Sequence, residues 1–311
     1  MALFPAPILV DGATHSAQQF RMLVRDLSNG AEGITQGDDL KVSQLSTPGA
    51  GVQVADGSGI VRGRANTFQG SYAACNVGAA TVEIAPTAGT PRSDMVILRV
   101  EDPDYEGTLN PADDEIAYFQ VISNVSSAAT AIPDGRTGIP LARIDIPAST
   151  ATITNAMIID LRKVANPRRE RTLWTQFPAS TSTAIGGTSS TYYNFSTAAG
   201  WNIPVPSWAS TVKIRYDIGG LKLYNGAVFG DSSATFGASL ALQAVGIDDN
   251  QSGARRYTQL MADTLTIPSA YRGTTQLLRA RVRCFVGNAG SLVVDTASTL
   301  IADVQFEEAP R

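Results

Sequence analysis

Histidine is nearly absent from this sequence: His15 is the only one in 311 residues. A Ser-His-Asp or Cys-His mechanism would have to use it. It lies directly before Ser16 at the start of a helical pattern, where a flanking or capping position explains it. Cysteine is almost as scarce. Cys75 and Cys284 lie far apart, and with one histidine they cannot supply the four ligands of a Cys/His zinc site. Both are expected as small, buried, apolar side chains, unpaired in a reducing compartment. Charged residues make up only 17%, and the net charge of -4 gives no general pull toward nucleic acid or anionic membrane. No apolar run approaches the roughly 20 residues that span a bilayer, so no membrane insertion is expected. The opening Met1-Ala-Leu-Phe-Pro5 lacks the basic start and apolar stretch of a secretory signal, which points to synthesis in a cytoplasm. There is no Gly-Lys-Ser/Thr phosphate loop and no His-Glu-x-x-His. Gly57, Gly59 and Gly63 have the wrong spacing for a dinucleotide loop, and no helix follows them. Neither a cofactor nor a metal is called for.

What remains is a chain of strands. Hydrophobic residues at 43% suffice for packed cores, and 311 residues allow two ordinary domains or one large β domain. One helix is expected over residues 16–29. Ser16 and Gln19 form a capping box, Phe20, Leu23, Val24 and Leu27 form one apolar stripe, and Asn29-Gly30 is the stop. After Gly30 the period changes to two. Leu40-Lys-Val-Ser43 and Val52-Gln-Val54 alternate as half-buried strands, and a turn at 56–59 leads into Ile60-Val61. Further strands are expected at 70–75, 80–85, 94–101, 116–122, 140–146 and 151–153. The continuous run Met95-Val-Ile-Leu98 predicts burial on both faces. Segments 102–114 and 123–138 read as loops.

Arg162, Lys163, Arg168, Arg169 and Arg171 cluster around Pro167, which interrupts any helix. This predicts a domain junction, with a solvated or inter-subunit basic linker at 166–171 between a module at 1–165 and a second domain at 172–311. Beyond it, Val212 to Ile218 and Leu221 to Tyr224 alternate around Gly219-Gly220. Segments 239–245, 276–286 and 291–306 continue the strand pattern. In 278–284, Arg279, Arg281 and Arg283 share one face, while Leu278, Ala280, Val282 and Cys284 share the other. Many strands at roughly ten-residue spacing predict a mainly β chain: a β-rich module with one N-terminal helix, then a jelly-roll-like β-sandwich.

Two groups of side chains carry candidate chemistry. Glu101, Asp102, Asp104, Glu106, Asp113, Asp114 and Glu115 form an acidic stretch without a basic residue between Arg99 and Arg136. Paired carboxylates can cut glycosides and oxygen-rich loops can hold calcium, but a solvated loop is the simpler reading. The aromatics Trp174, Tyr192, Tyr193, Trp201, Trp208 and Tyr224 either fill a core or expose flat rings to a sugar. Tyr192, Tyr193, Trp201 and Trp208 are the candidate saccharide or receptor contacts, with the hydroxyl- and amide-rich segment 186–194 beside them.

The order of segments between residues 50 and 162 carries a resemblance. Gly51 to Gly63 is followed by Gln69-Gly-Ser-Tyr72, then Pro91 to Gly107 with Pro91-Arg-Ser-Asp94 and Arg99, then Ile139 to Ile146, then Ile153 to Arg162. Over roughly residues 3–165 the chain resembles minor tail proteins of phages that infect actinobacteria and, more distantly, baseplate proteins of other long-tailed bacteriophages. The resemblance implies an attachment or scaffold module in a tail tip, a variable and often host-facing domain after it, and assembly as a homotrimer with other tail proteins. It implies no catalytic residue. The expected function is a structural, non-enzymatic virion component, with host-glycan binding assigned to 172–311. A virion-associated polysaccharide-degrading enzyme and a carbohydrate-binding module stay open as alternatives.

Overall fold

The computed structural model describes residues 4, 7, 8, 10–198 and 200–311. The expectation for the chain's opening therefore lies largely outside the described residues. The chain is mainly β and divides into two compact units. Unit 1 comprises residues up to Pro167 together with Ala309–Arg311, and unit 2 is Arg168–Glu308.

Unit 1 begins with helix α1 (Ala17–Leu27), capped by Ser16 and Gln19 in the reciprocal pattern that the sequence predicts. Its strands are β1 (Gly33–Ile34), β2 (Val42–Gln44), β3 (Gly51–Val54), β4 (Gly57–Arg62), β5 (Ser71–Asn76), β6 (Ala80–Glu83), β7 (Arg92–Val100), β8 (Ala117–Val125), β9 (Gly138–Ile146) and β10 (Ile158–Asp160). They form three antiparallel sheets in the orders β1-β4-β5, β2-β3-β6 and β10-β9-β7-β8. Segment 151–153 forms no strand: Ile153 is buried, and its N–H bonds to the Gly49 carbonyl at 2.9 Å. The run 95–98 is buried on both faces. Val96 and Leu98 join the main core, while Met95 and Ile97 pack with Leu161 in a second cluster. Gly33 has φ +136°, and a Cβ there would stand 2.0 Å from the Lys163 carbonyl oxygen, so only glycine allows this crossing of the chain.

The apolar stripe of α1 does not seat the helix. Phe20 is 48% and Leu27 73% exposed, and Gln19 is the helix residue that is buried. A polar clasp holds the helix instead. Arg21 donates from Nε to the Gln69 carbonyl at 2.9 Å and from Nη2 to the Tyr105 hydroxyl at 3.0 Å, and pairs with Asp102 at 3.2 Å. Tyr72 donates to the same Asp102 carboxylate at 2.7 Å and accepts from Gln69 at 3.0 Å. Desolvation, followed by the hydrogen bond to Asp102, pushes the Tyr72 phenol well above its ordinary value.

Unit 2 contains β11 (Arg169–Gln176), β12 (Ile185–Gly186), β13 (Tyr193–Asn194), β14 (Trp201–Pro204), β15 (Thr211–Tyr224), β16 (Val228–Phe236), β17 (Leu240–Ala241), β18 (Val245–Asp249), β19 (Arg255–Thr266), β20 (Thr275–Cys284), β21 (Ser291–Val293) and β22 (Thr299–Glu307). One sheet runs β19-β15-β22-β11, with β21 and β12 continuing the last two rows. The other runs β18-β16-β20-β14, with β17 beside β16 and β13 beside β20. Taken in chain order, β11, β14, β15, β16, β18, β19, β20 and β22 place the first, eighth, third and sixth strands in one sheet. The second, seventh, fourth and fifth form the other. That interleaving is the jelly roll. Its core lies between the inward rows, including Ile214, Tyr216 and Ile218 of β15, Leu278, Ala280 and Val282 of β20, and Val304 and Phe306 of β22.

Several local expectations are corrected here. Arg169, Glu170 and Arg171, placed in a linker by the sequence, pair in β11 with Glu307, Phe306 and Gln305. Arg162 is not solvated; its side chain has no exposed surface. The alternation around Gly219-Gly220 belongs to one strand, β15, which carries a bulge between Ile218 and Leu221.

Candidate functional site

Unit 1 brings three sheet edges around one cleft of about 770 Å³. Each wall is an outermost strand: β5 supplies Ala74–Asn76, β6 supplies Ala80–Glu83, and β8 supplies Ala117–Phe119 and Val121. On β8, the Glu101 N–H donates to the Ile116 carbonyl at 2.9 Å. Antiparallel pairing alternates, so residues 118, 120 and 122 turn their backbone groups toward β7. Ala117, Phe119 and Val121 turn theirs outward. β8 carries no charged residue and no proline, the usual guards of an open edge, and its one irregularity is a bulge near its end.

Cys75 lies on this cleft and is exposed, whereas Cys284 is buried, so the expectation of two buried thiols holds for Cys284 alone. The Cys75 sulfur is 3.1 Å from the Ser58 hydroxyl. Burial raises the Cys284 thiol pKa.

In the acidic segment, three carboxylates act as braces. Glu101 pairs with Arg99 at 3.2 Å and accepts from the Tyr118 hydroxyl at 2.8 Å. Asp102 belongs to the helix clasp, and Glu106 reaches Arg99 at 3.7 Å. Asp104, Asp113, Asp114 and Glu115 are exposed, as a solvated loop requires. Among the described residues no group of three or more His, Cys, Asp or Glu side chains could hold a metal ion. No helix among them is long and apolar enough to cross a membrane. His15 stands edge-on to Phe20 with ring centroids 6.2 Å apart.

The four candidate receptor-contact residues separate. Trp201 is buried in the sandwich core, its ring centroid 5.4 Å from that of Tyr216. Trp208 is half-buried against the same core, under the Arg168 guanidinium at 5.4 Å. Trp174 also packs there, and Tyr224 lies under Lys222. Tyr192 and Tyr193 come to the surface, at the edge where β13 joins β20. Tyr193 is 49% exposed. The Tyr192 ring centroid lies 4.2 Å from the Arg281 guanidinium carbon and 4.6 Å from that of Arg283.

β20 builds this surface through its alternation. Leu278, Ala280, Val282 and Cys284 face the core and are buried, leaving Arg279, Arg281 and Arg283 on the outer face. Opposite them on β16 stand Thr235, Ser233 and Asp231. Arg283 makes a two-pronged pair with Asp231, at 3.0 Å from Nε and 2.8 Å from Nη2. Desolvation first, and then Asp231, raise the Tyr192 phenol pKa against the opposing pull of Arg283 and Arg281. Asp231 is the member of this cluster that sequence reading missed, because a single acid in Gly-Asp-Ser-Ser gives no periodic signal.

No family model matches the chain, and no curated protein matches it. Among solved structures, infectious bursal disease virus, Gx strain, aligns over 90% of this chain and 80% of its own at 12% identity and a TM-score of 0.24. The T13 IBDV viral particle aligns over 90% and 77% at 10% identity and a TM-score of 0.24. The insecticidal delta-endotoxin Cry8Ea1 from Bacillus thuringiensis aligns over 90% and 55% at 10% identity and a TM-score of 0.20. At these scores neither fold nor role follows from the likeness, and the jelly roll rests on the strand pairing alone.

Proposed function

We propose that this chain is a structural protein of a virus particle, placed in the tail tip or baseplate of a long-tailed bacteriophage. Unit 1 attaches it to neighbouring tail proteins and to further copies of itself, with a homotrimer as the first expectation. Unit 2 faces the host surface. The single observation that carries this reading is the open cleft of unit 1. An uncharged edge strand left unpaired beside two further sheet edges suits the addition of a strand from another chain. The exposed Phe20 and Leu27 on α1 give the same unit an apolar helical face. The order of segments 51–162, resembling tail and baseplate proteins, supports the placement.

The test is a proline in the outward register of β8. Val121→Pro removes an N–H that points away from β7, so the existing sheet keeps its ladder. Val121→Ala removes similar packing and keeps the N–H. The proline variant should fold, by circular dichroism, and fail to enter particles or oligomers, while the alanine variant assembles. Equal assembly of both variants would remove the cleft from the attachment role.

A further inference from the structure

Unit 2 handles its arginines unevenly. Arg168, Arg169, Arg171, Arg215, Arg255, Arg256 and Arg283 each reach a carboxylate within 4 Å. Arg279 and Arg281 have no ion pair among the described residues, and the Nε of each is buried without a hydrogen-bond partner. Of the acids on their sheet face, Asp231 is already held by Arg283, and exposed Asp248 stands farther off on β18, opposite Phe229. Three guanidiniums against two carboxylates leave one excess positive charge on this sheet face, in a chain whose net charge is -4.

The geometry points to a binding site for an anionic polysaccharide on the outer face of β20, with Arg279 and Arg281 taking its carboxylate or phosphate groups. These features favour a polymer over a small anion. Alternate residues on a strand stand about 6.7 Å apart, so the guanidiniums form a row along β20 rather than a cage. The arginine row is half-buried and flanked by β13 and β16. Exposed Asn194 and Asn202 border the row on β13 and β14 and offer amide donors and acceptors to sugar hydroxyls. Tyr192, packed against Arg281 and Arg283, restricts their rotamers, so less side-chain entropy is lost when an anion binds. The Arg283–Asp231 pair is the fixed end of the row, and Arg279 and Arg281 are the open end.

This inference rests on the reading of unit 2 as host-facing. Binding to a purified polymer is measured apart from any particle, so its failure leaves the attachment role of unit 1 standing. The probes are polygalacturonate, which carries carboxylates, a phosphorylated mannan, neutral dextran and duplex DNA, each titrated into the full chain at low and high salt. The expected result is binding to polygalacturonate, to the phosphomannan or to both; which one binds identifies the charged group. Binding should weaken with salt and be absent for dextran. Arg279→Gln with Arg281→Gln should weaken it at least tenfold. Arg171→Gln, an exposed arginine on the other sheet, should leave it within twofold. Arg279→Lys with Arg281→Lys preserves the charge and should keep part of the affinity, which separates a charge effect from misfolding of the glutamine variant. No binding to either charged glycan, or equal binding by the glutamine variant, would overturn the proposal. DNA binding as tight as that of the glycans would also overturn it. So would a glutamine variant that loses self-association while its glycan binding is unchanged, because the row would then be a contact between copies.

Discussion

Removing the buried guanidinium of Arg162 should loosen unit 1 while leaving the jelly roll intact. Arg162 donates from Nη1 to the Asp39 carbonyl at 2.6 Å and from Nη2 to the Arg311 carbonyl at 2.9 Å. It also makes a forked pair with Asp160. One side chain thereby ties the loop after β1, the end of β10 and the chain's last residue. Arg162→Ala removes the guanidinium donor from two carbonyl oxygens, at about 1–3 kcal/mol each where buried. Asp160 is 44% exposed and can resolvate, so it adds little. Water entering the vacated space offsets part of the loss, which gives a net cost of ~2–4 kcal/mol. For a unit of this size the cost corresponds to a midpoint lower by roughly 5–12 °C. Arg162→Lys keeps the charge but not the planar fork, and should cost about half as much. All three tryptophans, Trp174, Trp201 and Trp208, lie in unit 2. Thermal unfolding followed by tryptophan fluorescence therefore reports unit 2, while far-ultraviolet circular dichroism reports both units. The dichroism transition should develop an earlier component and the fluorescence transition should stay in place. A loss below about 0.5 kcal/mol, or a shift confined to the tryptophan signal, would refute the reasoning.

The aromatic residues should separate by burial: Trp201→Ala should cost about 3–5 kcal/mol in urea unfolding, and the edge residue Tyr193→Ala no more than ~0.5 kcal/mol. Asp249, Asp295, Asp303 and Glu307 are held below their ordinary pKa values, Asp249 first by the Gln251 backbone N–H, the others first by hydrogen bonds from Arg256, Arg171 and Lys213 respectively. Groups depressed in the folded state contribute fully above their unfolded values of about 3.9–4.3. Unit 2 should accordingly hold its stability down to about pH 4 and lose it as pH falls further through the folded values, as a pH series of fluorescence melts would record. Of the two thiols, Cys75 should react with a disulfide reagent in the folded chain and Cys284 only after unfolding, so two fast thiols would contradict the burial of Cys284.

The helix start, the double-faced strand at 95–98 and the alternating face of 278–284 were legible because each rests on local periodicity or a local cap. The seat of α1 was not legible, since Phe20 and Leu27 of its apolar stripe point away and Arg21 reaches partners at 69, 102 and 105. Two strands of the jelly roll carry weak hydrophobic signals. In β16 the buried residues include Asp231, Ser232, Ser233 and Ala234, which are small or polar. In β19 one face is exposed for most of its length, and Leu260 points to solvent. Arg162 and Arg168–Arg171 read as a solvated cluster because their partners, at 303–311 and 37–39, are remote in sequence. At the candidate surface, Arg279, Arg281 and Arg283 could be placed on one face from the sequence. The division of Tyr192 and Tyr193 from Trp201 and Trp208 required the fold, because aromatic residues serve cores and surfaces alike.

The attachment role is tested most directly by locating the chain in an assembled particle. A fiducial tag on unit 2, imaged by electron cryomicroscopy of purified phage, should appear at the tail tip or baseplate with the symmetry of the surrounding ring and project outward. Particles that are complete and infectious without the chain, or that carry the tag on the head or nowhere, would contradict the account.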